Sequence, residues 1–194
     1  MDIQRFIDHV KEKAANPAFI HHAWFVKYHL EIVEKIALEI CDRYPQVNRD
    51  FIRLLAWLHD YGKILDFNNQ SQMTLDAGRK TLLEMGFAED VVGHALECIA
   101  TMDQHRTLDL HEAPLEVRII SSADAASHLV GPFYYLWWYE NGNRPFEELM
   151  QTDIDKAMCD WHGKMVLPEV RQVFQTRHDF LLEQSGVIPE RFLA

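Results

Sequence analysis

Apolar residues recur along most of this chain at spacings of three and four, whereas the alternation typical of half-buried strands is almost absent. That periodicity predicts helices along nearly the whole chain. Asp2 is placed to cap a first helix that runs to about Lys13, and Asn16 with Pro17 starts a second helix that ends near Tyr44. The pattern therefore predicts an all-α fold, a helical bundle.

The later helices are separated by short breaks that are polar or contain proline or glycine. Asn48 caps a third helix that continues to about Leu65, and the polar stretch 66–72 is expected to be a loop. The other predicted boundaries are the end of a fourth helix at Gly86, the start of a fifth near Ala88, a polar loop over 103–113, a sixth helix from Pro114 with a break at Gly131 and Pro132, a loop over 141–145, and a C-terminal helical extension over about 145–184 with an interruption near Pro168.

The length and charge of the chain limit its organisation and its partners. A chain of 194 residues can form one sizeable domain, and we expect a single domain over 1–194 because no repeat or long linker divides it. The formal net charge is −11, which argues against a nucleic-acid polymer or an anionic membrane surface as partner, since either would require a basic face. An acidic protein that handles phosphates needs a cation in its site.

The cysteines and the N-terminal segment favour a cytoplasmic protein. The three cysteines lie far apart without a CxxC pair, and residues 1–13 are amphipathic and contain no apolar signal core. The aromatic run 129–139, which contains Trp137 and Trp138, is too short to span a bilayer. That run favours core packing or the surface of a homodimer.

Three polar side chains sit on apolar helical faces, where an unpaired polar group is costly. His29 shares a face with Ile32 and Val33, so it is expected to point inward. His59 and Asp60 follow the apolar part of the stretch FIRLLAWLHDYGK (51–63). Asp124 follows Ile120 by one helical turn. A divalent cation is a natural partner for such groups.

Two imidazoles and two carboxylates form a mixed nitrogen and oxygen set, which suits Mn, Fe, Co, Ni or Zn better than an all-oxygen calcium site. Four protein ligands would leave positions open on an octahedral ion, as a catalytic site requires. Each residue also has an ordinary structural explanation. His29 could be a hydrogen-bonded core histidine, and Asp124 could accept hydrogen bonds from Ser121, Ser127 or His128.

These residues resemble the HD-domain metal-dependent phosphohydrolases. The resemblance rests on a lone histidine (His29), an HD pair about 30 residues on (His59 and Asp60 in LLAWLHDYGK), and a distant aspartate (Asp124 in VRIISSADAASHL). It spans a core of about residues 24–130. It implies an HD-type helical fold and a divalent metal ion, with Mg²⁺ as a further candidate, bound by all four residues.

One departure from the family concerns the second metal. Many relatives carry two more histidines between the HD pair and the last aspartate, and those histidines hold a second ion. Here the corresponding places are occupied by Met73, Thr74, Leu75, Thr101 and Met102. A site for one metal ion is therefore expected, which disfavours the oxygen-activating di-iron chemistry of some relatives.

The predicted activity is hydrolysis of a small phosphate ester, such as a nucleotide, by metal-activated water. Asp60 would bind the metal and orient the water, and Lys63 would contact a phosphate oxygen. Lys63 could equally be a solvated lysine that complements a helix dipole. His128 is placed one turn after Asp124 as a supporting partner. The alternatives are an HD-fold metal-binding sensor or regulatory module without turnover, and a helical protein whose core histidines are satisfied without metal.

Overall fold

Helices are the regular elements of this chain. The computed structural model describes residues 2–191, and that part of the chain contains no β-strand. The predicted all-α class is confirmed. The α-helices are α1 (Ile3–Ala14), α2 (Glu31–Cys41), α3 (Arg49–Leu58), α4 (Tyr61–Leu65), α5 (Gln70–Glu84), α6 (Glu89–Asp103), α7 (Leu115–His128), α8 (Phe133–Glu140), α9 (Phe146–Cys159) and α10 (Pro168–Gln184).

The helix starts follow the capping residues of the sequence. The Asp2 carboxylate accepts a hydrogen bond from the backbone N–H of Arg5, 3.1 Å away, at the start of α1. The Asn48 side chain accepts from the first N–H groups of α3. Each such cap stabilises its helix by roughly 1 kcal/mol because it satisfies a donor that has no partner within the helix.

The core lies where α2, α3, α6 and α7 pack together. Leu54, Leu55, Ile119 and Ile120 are fully buried there. Burial of each such side chain contributes roughly 1.5–3 kcal/mol relative to exposure. This packing fixes the ends of α3 and the middle of α7, which carry the candidate site.

The predicted second helix is shorter and less regular than expected. Turns occupy much of the stretch from Asn16 onward, and a π-helical segment, Val26–Leu30, precedes α2. His29 lies in that segment and is 1% exposed. The inward position inferred from its apolar neighbours is therefore correct, although the local helix is wider than an α-helix.

The predicted loop over 66–72 is wrong in its second half. Phe67–Asn69 forms a 3₁₀ turn, and α5 already begins at Gln70. The polar residues of this stretch favour loops by themselves, but packing decides otherwise. The Thr74 hydroxyl donates to the Gln70 carbonyl and accepts from the Gly62 N–H, both at 2.9 Å, which ties the first turn of α5 to α4.

The other breaks fall close to their predicted places. Gly86 follows α5 with φ at +84°, a conformation that favours glycine, and Gly131 with Pro132 separates α7 from α8. The interruption near Pro168 contains a second π-helical segment, Asp160–Lys164, between α9 and α10. Across residues 2–191, no helix is both long enough and apolar enough to cross a membrane.

Candidate metal centre

Three candidate ligands from separate helical segments converge in the interior. One ligand atom each of His29, His59 and Asp124 lies within 4.8 Å of the other two, and all three residues are buried. The two imidazole Nε2 atoms are 3.3 Å apart. Asp124 Oδ1 is 3.6 Å from His29 Nε2 and 3.7 Å from His59 Nε2. The group is compact enough for a single ion.

Asp60 reaches the same point because the chain breaks at the HD pair. His59 and Asp60 form the turn between α3 and α4. In a continuous helix, adjacent side chains would diverge by about 100°. Here Asp60 Oδ2 lies 3.1 Å from His29 Nε2 and 3.5 Å from His59 Nε2. The four predicted ligands therefore lie together.

Hydrogen bonds set the two imidazoles in the orientation that a metal requires. His59 Nδ1 donates to the Ala56 carbonyl at 2.8 Å. Ser127 Oγ donates to the backbone carbonyl of Asp124 at 2.7 Å, so it accepts from His29 Nδ1 at 3.1 Å. Both Nε2 lone pairs consequently face the same space. Two lone pairs at this distance repel each other unless a cation or a proton lies between them. These residues fit a divalent metal ion.

Burial and neighbouring charges shift the pKa of all four candidate ligands, and three of the four shifts favour the form that binds a metal. Burial lowers the pKa of His29 to about 3, which keeps its ring neutral. For His59, burial is outweighed by the Asp60 and Asp124 carboxylates, which raise its pKa. Burial alone would raise the pKa of each carboxyl, but nearby cations hold both well below the usual range. Both carboxyl groups are therefore ionised.

Two lysines supply much of that positive charge. Lys63 Nζ donates to Asp60 Oδ2 at 2.5 Å, and Lys164 Nζ donates to Asp124 Oδ2 at 2.7 Å. Burial lowers the pKa of Lys164, but the Asp124 and Asp160 carboxylates together outweigh burial and raise that pKa above its usual value. The sequence indicated Lys63 but not Lys164, which lies 40 residues after Asp124 and follows no recognisable motif.

His128 lies beside the candidate ligands, as expected, but its partner is different. Its ring stacks on that of His29 with centroids 5.1 Å apart, and its Nε2 is 3.6 Å from Asp124 Oδ1. Its Nδ1 pairs with Asp160 Oδ2 at 2.9 Å, and Lys156 donates to the same oxygen at 2.8 Å. Asp160 and Lys156 extend the charged network into the C-terminal part of the chain, and sequence analysis missed them.

Of the three sequence-based alternatives for Asp124, the two serines do not contact its carboxylate, whereas His128 Nε2 lies 3.6 Å from Oδ1. Ser127 donates to the Asp124 backbone carbonyl, and Ser121 Oγ donates to the Lys164 carbonyl at 3.0 Å. The carboxylate instead faces an ammonium group and the imidazoles. It is thus held by charged partners and not by the neighbouring hydroxyls.

A polar cavity of about 260 Å³ opens beside these groups. His59, Asp60 and Asp124 form part of its wall, and Lys63, Lys156 and Lys164 bring three ammonium groups to it. His105 also lies in the wall of this cavity, and its Nε2 contacts Cys159 Sγ at 3.7 Å. The cavity therefore combines candidate metal ligands with three lysines, each paired with a carboxylate, in a protein that is acidic as a whole.

Comparison with known proteins gives one match. The model of the HD domain family matches residues 26–128. No curated protein and no solved structure matches the chain. The matched segment covers more than half of the chain and contains His29, His59, Asp60 and Asp124. The chain therefore belongs to the HD-domain family, within the superfamily of metal-dependent phosphohydrolases.

Proposed function

We propose that this protein hydrolyses a small phosphate ester with the help of one divalent metal ion. His29, His59, Asp60 and Asp124 would hold the ion. The observation that carries the proposal is a cavity of about 260 Å³ whose wall contains three of these residues, His59, Asp60 and Asp124, together with three lysines. A bound divalent ion would supply Lewis acidity, which activates a water molecule and polarises a phosphoryl oxygen.

Asp60 and Lys63 are the residues proposed to act on the reacting groups. The Asp60 carboxylate is 13% exposed and borders the cavity. One of its oxygens can therefore accept a hydrogen bond from a water molecule and orient that water. Lys63 is 24% exposed and lies against Asp60 instead of extending into solvent. That position favours its role as a phosphate contact over that of a solvated helix-end lysine.

The lysines determine which substrate charge the cavity accepts. Lys63, Lys156 and Lys164 approach it from α4, α9 and the π-helical segment Asp160–Lys164. Three ammonium groups from separate elements favour a compact anion with several oxygens, such as a phosphoryl group. Both phosphomonoesters and phosphodiesters satisfy this requirement.

An aromatic cleft next to the polar cavity favours a nucleotide-like substrate. The cleft, of about 440 Å³, shares Lys63 and Lys156 with the polar cavity. Trp24, Phe25 and Trp137 are in its wall. A planar leaving group could stack there while its phosphate lies among the lysines.

A regulatory role without turnover is the second candidate. Asp60 and Asp124 each bind a lysine ammonium at 2.5–2.7 Å. Such contacts satisfy the carboxylates without an ion. This arrangement would suit a regulatory protein that senses metal by exchanging these lysine partners for the ion.

Metal analysis followed by a substrate panel separates the two. We expect about one transition-metal ion per chain after reconstitution, and hydrolysis of one or more generic monoesters, diesters or nucleotides with Mn, Co, Ni, Mg or Zn. Asp60→Asn should abolish hydrolysis, and Lys63→Ala should keep the metal but lower kcat/KM at least tenfold. Lys80→Ala, on an exposed lysine 76% accessible, is the matched control.

The outcomes are distinct. Stoichiometric metal without turnover on any substrate supports the regulatory candidate. Absence of metal after reconstitution overturns both. Full activity in Lys63→Ala removes the proposed role of that lysine and leaves the rest of the proposal intact.

A further inference from the structure

A second and larger cavity, of about 510 Å³, lies between α8, α9 and α10. None of the four candidate metal ligands is in its wall, which it shares with the polar cavity only at His128. Its volume falls within the range of small-molecule sites. The cavity is lined by five aromatic side chains, Tyr134, Tyr135, Trp138, Phe146 and Phe180.

A carboxyl group without a charged partner faces this cavity. Asp153, on α9, is 3% exposed and forms no ion pair with any residue of the described chain. The other buried carboxylates of the protein, Asp60, Asp124 and Asp160, are each paired with a lysine. A buried carboxyl without such a partner is unusual, because its desolvation is not offset.

Two further polar groups in the same wall are also without partners. The Tyr134 hydroxyl and the Trp138 indole nitrogen are buried, and neither completes a hydrogen bond within residues 2–191. The indole lies close enough to Asp153 to favour its ionised form, although the geometry falls short of a hydrogen bond. Buried polar groups are normally satisfied, so these two groups and a carboxyl group without an ion pair, around one cavity, indicate a missing ligand.

The chemistry of the wall indicates the charge of that ligand. Faces of tyrosine, tryptophan and phenylalanine attract cations through their ring quadrupoles, and a carboxylate beside them adds a direct counter-charge. The net charge of −11 favours the approach of a cation. Arg177, a cationic side chain in this wall, is exposed and lies over the ring of Phe174 at 5.4 Å.

We propose that this cavity binds a small organic cation, an ammonium group on an apolar body. The ammonium would pair with Asp153 and donate to the Tyr134 hydroxyl, and the apolar body would lie against Tyr135, Trp138 and Phe180. The site contains none of the candidate metal ligands and does not depend on them, although Asp153 and Tyr134 also line the aromatic cleft.

Isothermal titration with phenethylamine tests the proposal on the full chain. 2-Phenylethanol and 3-phenylpropionate serve as the neutral and anionic counterparts of similar size. We expect one phenethylamine per chain, bound at least tenfold more tightly than either counterpart. Asp153→Asn should weaken that binding at least tenfold, and Tyr134→Phe by a smaller factor. Asp155→Asn, an exposed aspartate on the same helix that accepts from Gln151, should leave it unchanged.

Specific results would overturn the inference. These are no detectable binding of phenethylamine at 10 mM, equal binding of all three compounds, or unchanged affinity in Asp153→Asn. If the asparagine variant does not fold, a crystal structure of the natural chain with phenethylamine decides. An amine nitrogen within hydrogen-bond distance of Asp153 supports the proposal, and a ligand elsewhere contradicts it.

Discussion

Replacing Asp153 by asparagine isolates the free energy of holding a carboxyl group in the apolar space between α8, α9 and α10. Burial raises the pKa of Asp153 to about 7, and the Trp138 indole only partly opposes that rise. An unfolded aspartate has a pKa of about 3.9. The charged or titratable groups that line the cavities on either side of Asp153 include His128, Arg177 and Lys156.

The direction of the pH dependence follows from these two values. Between pH 4 and pH 7 the folded chain keeps the Asp153 proton while the unfolded chain releases it. The stability that the protonated carboxyl provides is complete below about pH 4 and is lost as the pH rises through about 7. A difference of about 3 between the two pKa values corresponds to a loss of about 4 kcal/mol, of which about 2 kcal/mol falls between pH 5.5 and pH 8.

Asparagine resembles the neutral acid and does not ionise, so the variant does not lose this stability as the pH rises. Urea denaturation of the natural chain and of Asp153→Asn, in the presence of EDTA, should therefore show the variant as the more stable protein at pH 8. The difference in the free energy of unfolding should shrink by about 2 kcal/mol at pH 5.5. Asp155→Asn, on the exposed side of α9, should show no such trend. A difference that does not change with pH, or a variant less stable at pH 8, would show that the folded chain does not hold Asp153 as a neutral acid.

Four other substitutions test the packing and the candidate site. A Cβ at Gly62 meets the backbone of α5, so Gly62→Ala should lose more than about 4 kcal/mol of stability in urea denaturation, whereas Gly93→Ala meets nothing within 4 Å and should gain about 0.5–1 kcal/mol. Ser127→Ala removes the acceptor of one ligand imidazole and should weaken metal affinity about 10-fold to 100-fold in a chelator competition; a change below twofold would contradict that role. Lys164→Met leaves a buried carboxylate without its ammonium and should cost the metal-free protein about 3 kcal/mol; unchanged stability would show that the pair contributes nothing.

Local patterns were sufficient to predict most of the helices and the inward position of candidate ligands, whereas the set of four ligands also required the family resemblance. Three-four spacing placed His29 and Asp124 on apolar faces, and both are buried. Capping residues and glycine or proline breaks predicted most helix ends. These features depend on neighbours within one or two turns, and such information is present in a short stretch of sequence.

Features that depend on distant contacts were not predicted. Lys164 meets Asp124 across 40 residues, and Asp160 meets His128 across 32. Nothing in the C-terminal stretch distinguishes these residues from solvated ones. The early start of α5 likewise depends on the contact of Thr74 with Gly62. The single domain over 1–194 and the homodimer stay predictions.

The π-helical segment Asp160–Lys164 and the last turn of α9 lie beyond residue 128, where the family match ends. The ammonium group of Lys164 thus comes from a different part of the chain than the Asp124 carboxylate that it faces. A fragment restricted to the matched residues would lack Lys164, so its carboxylates would have less positive charge beside them. Such a fragment would depend more on a bound metal ion to keep these carboxylates close together. The whole chain carries its own counterions, so metal loading can follow folding and need not accompany it.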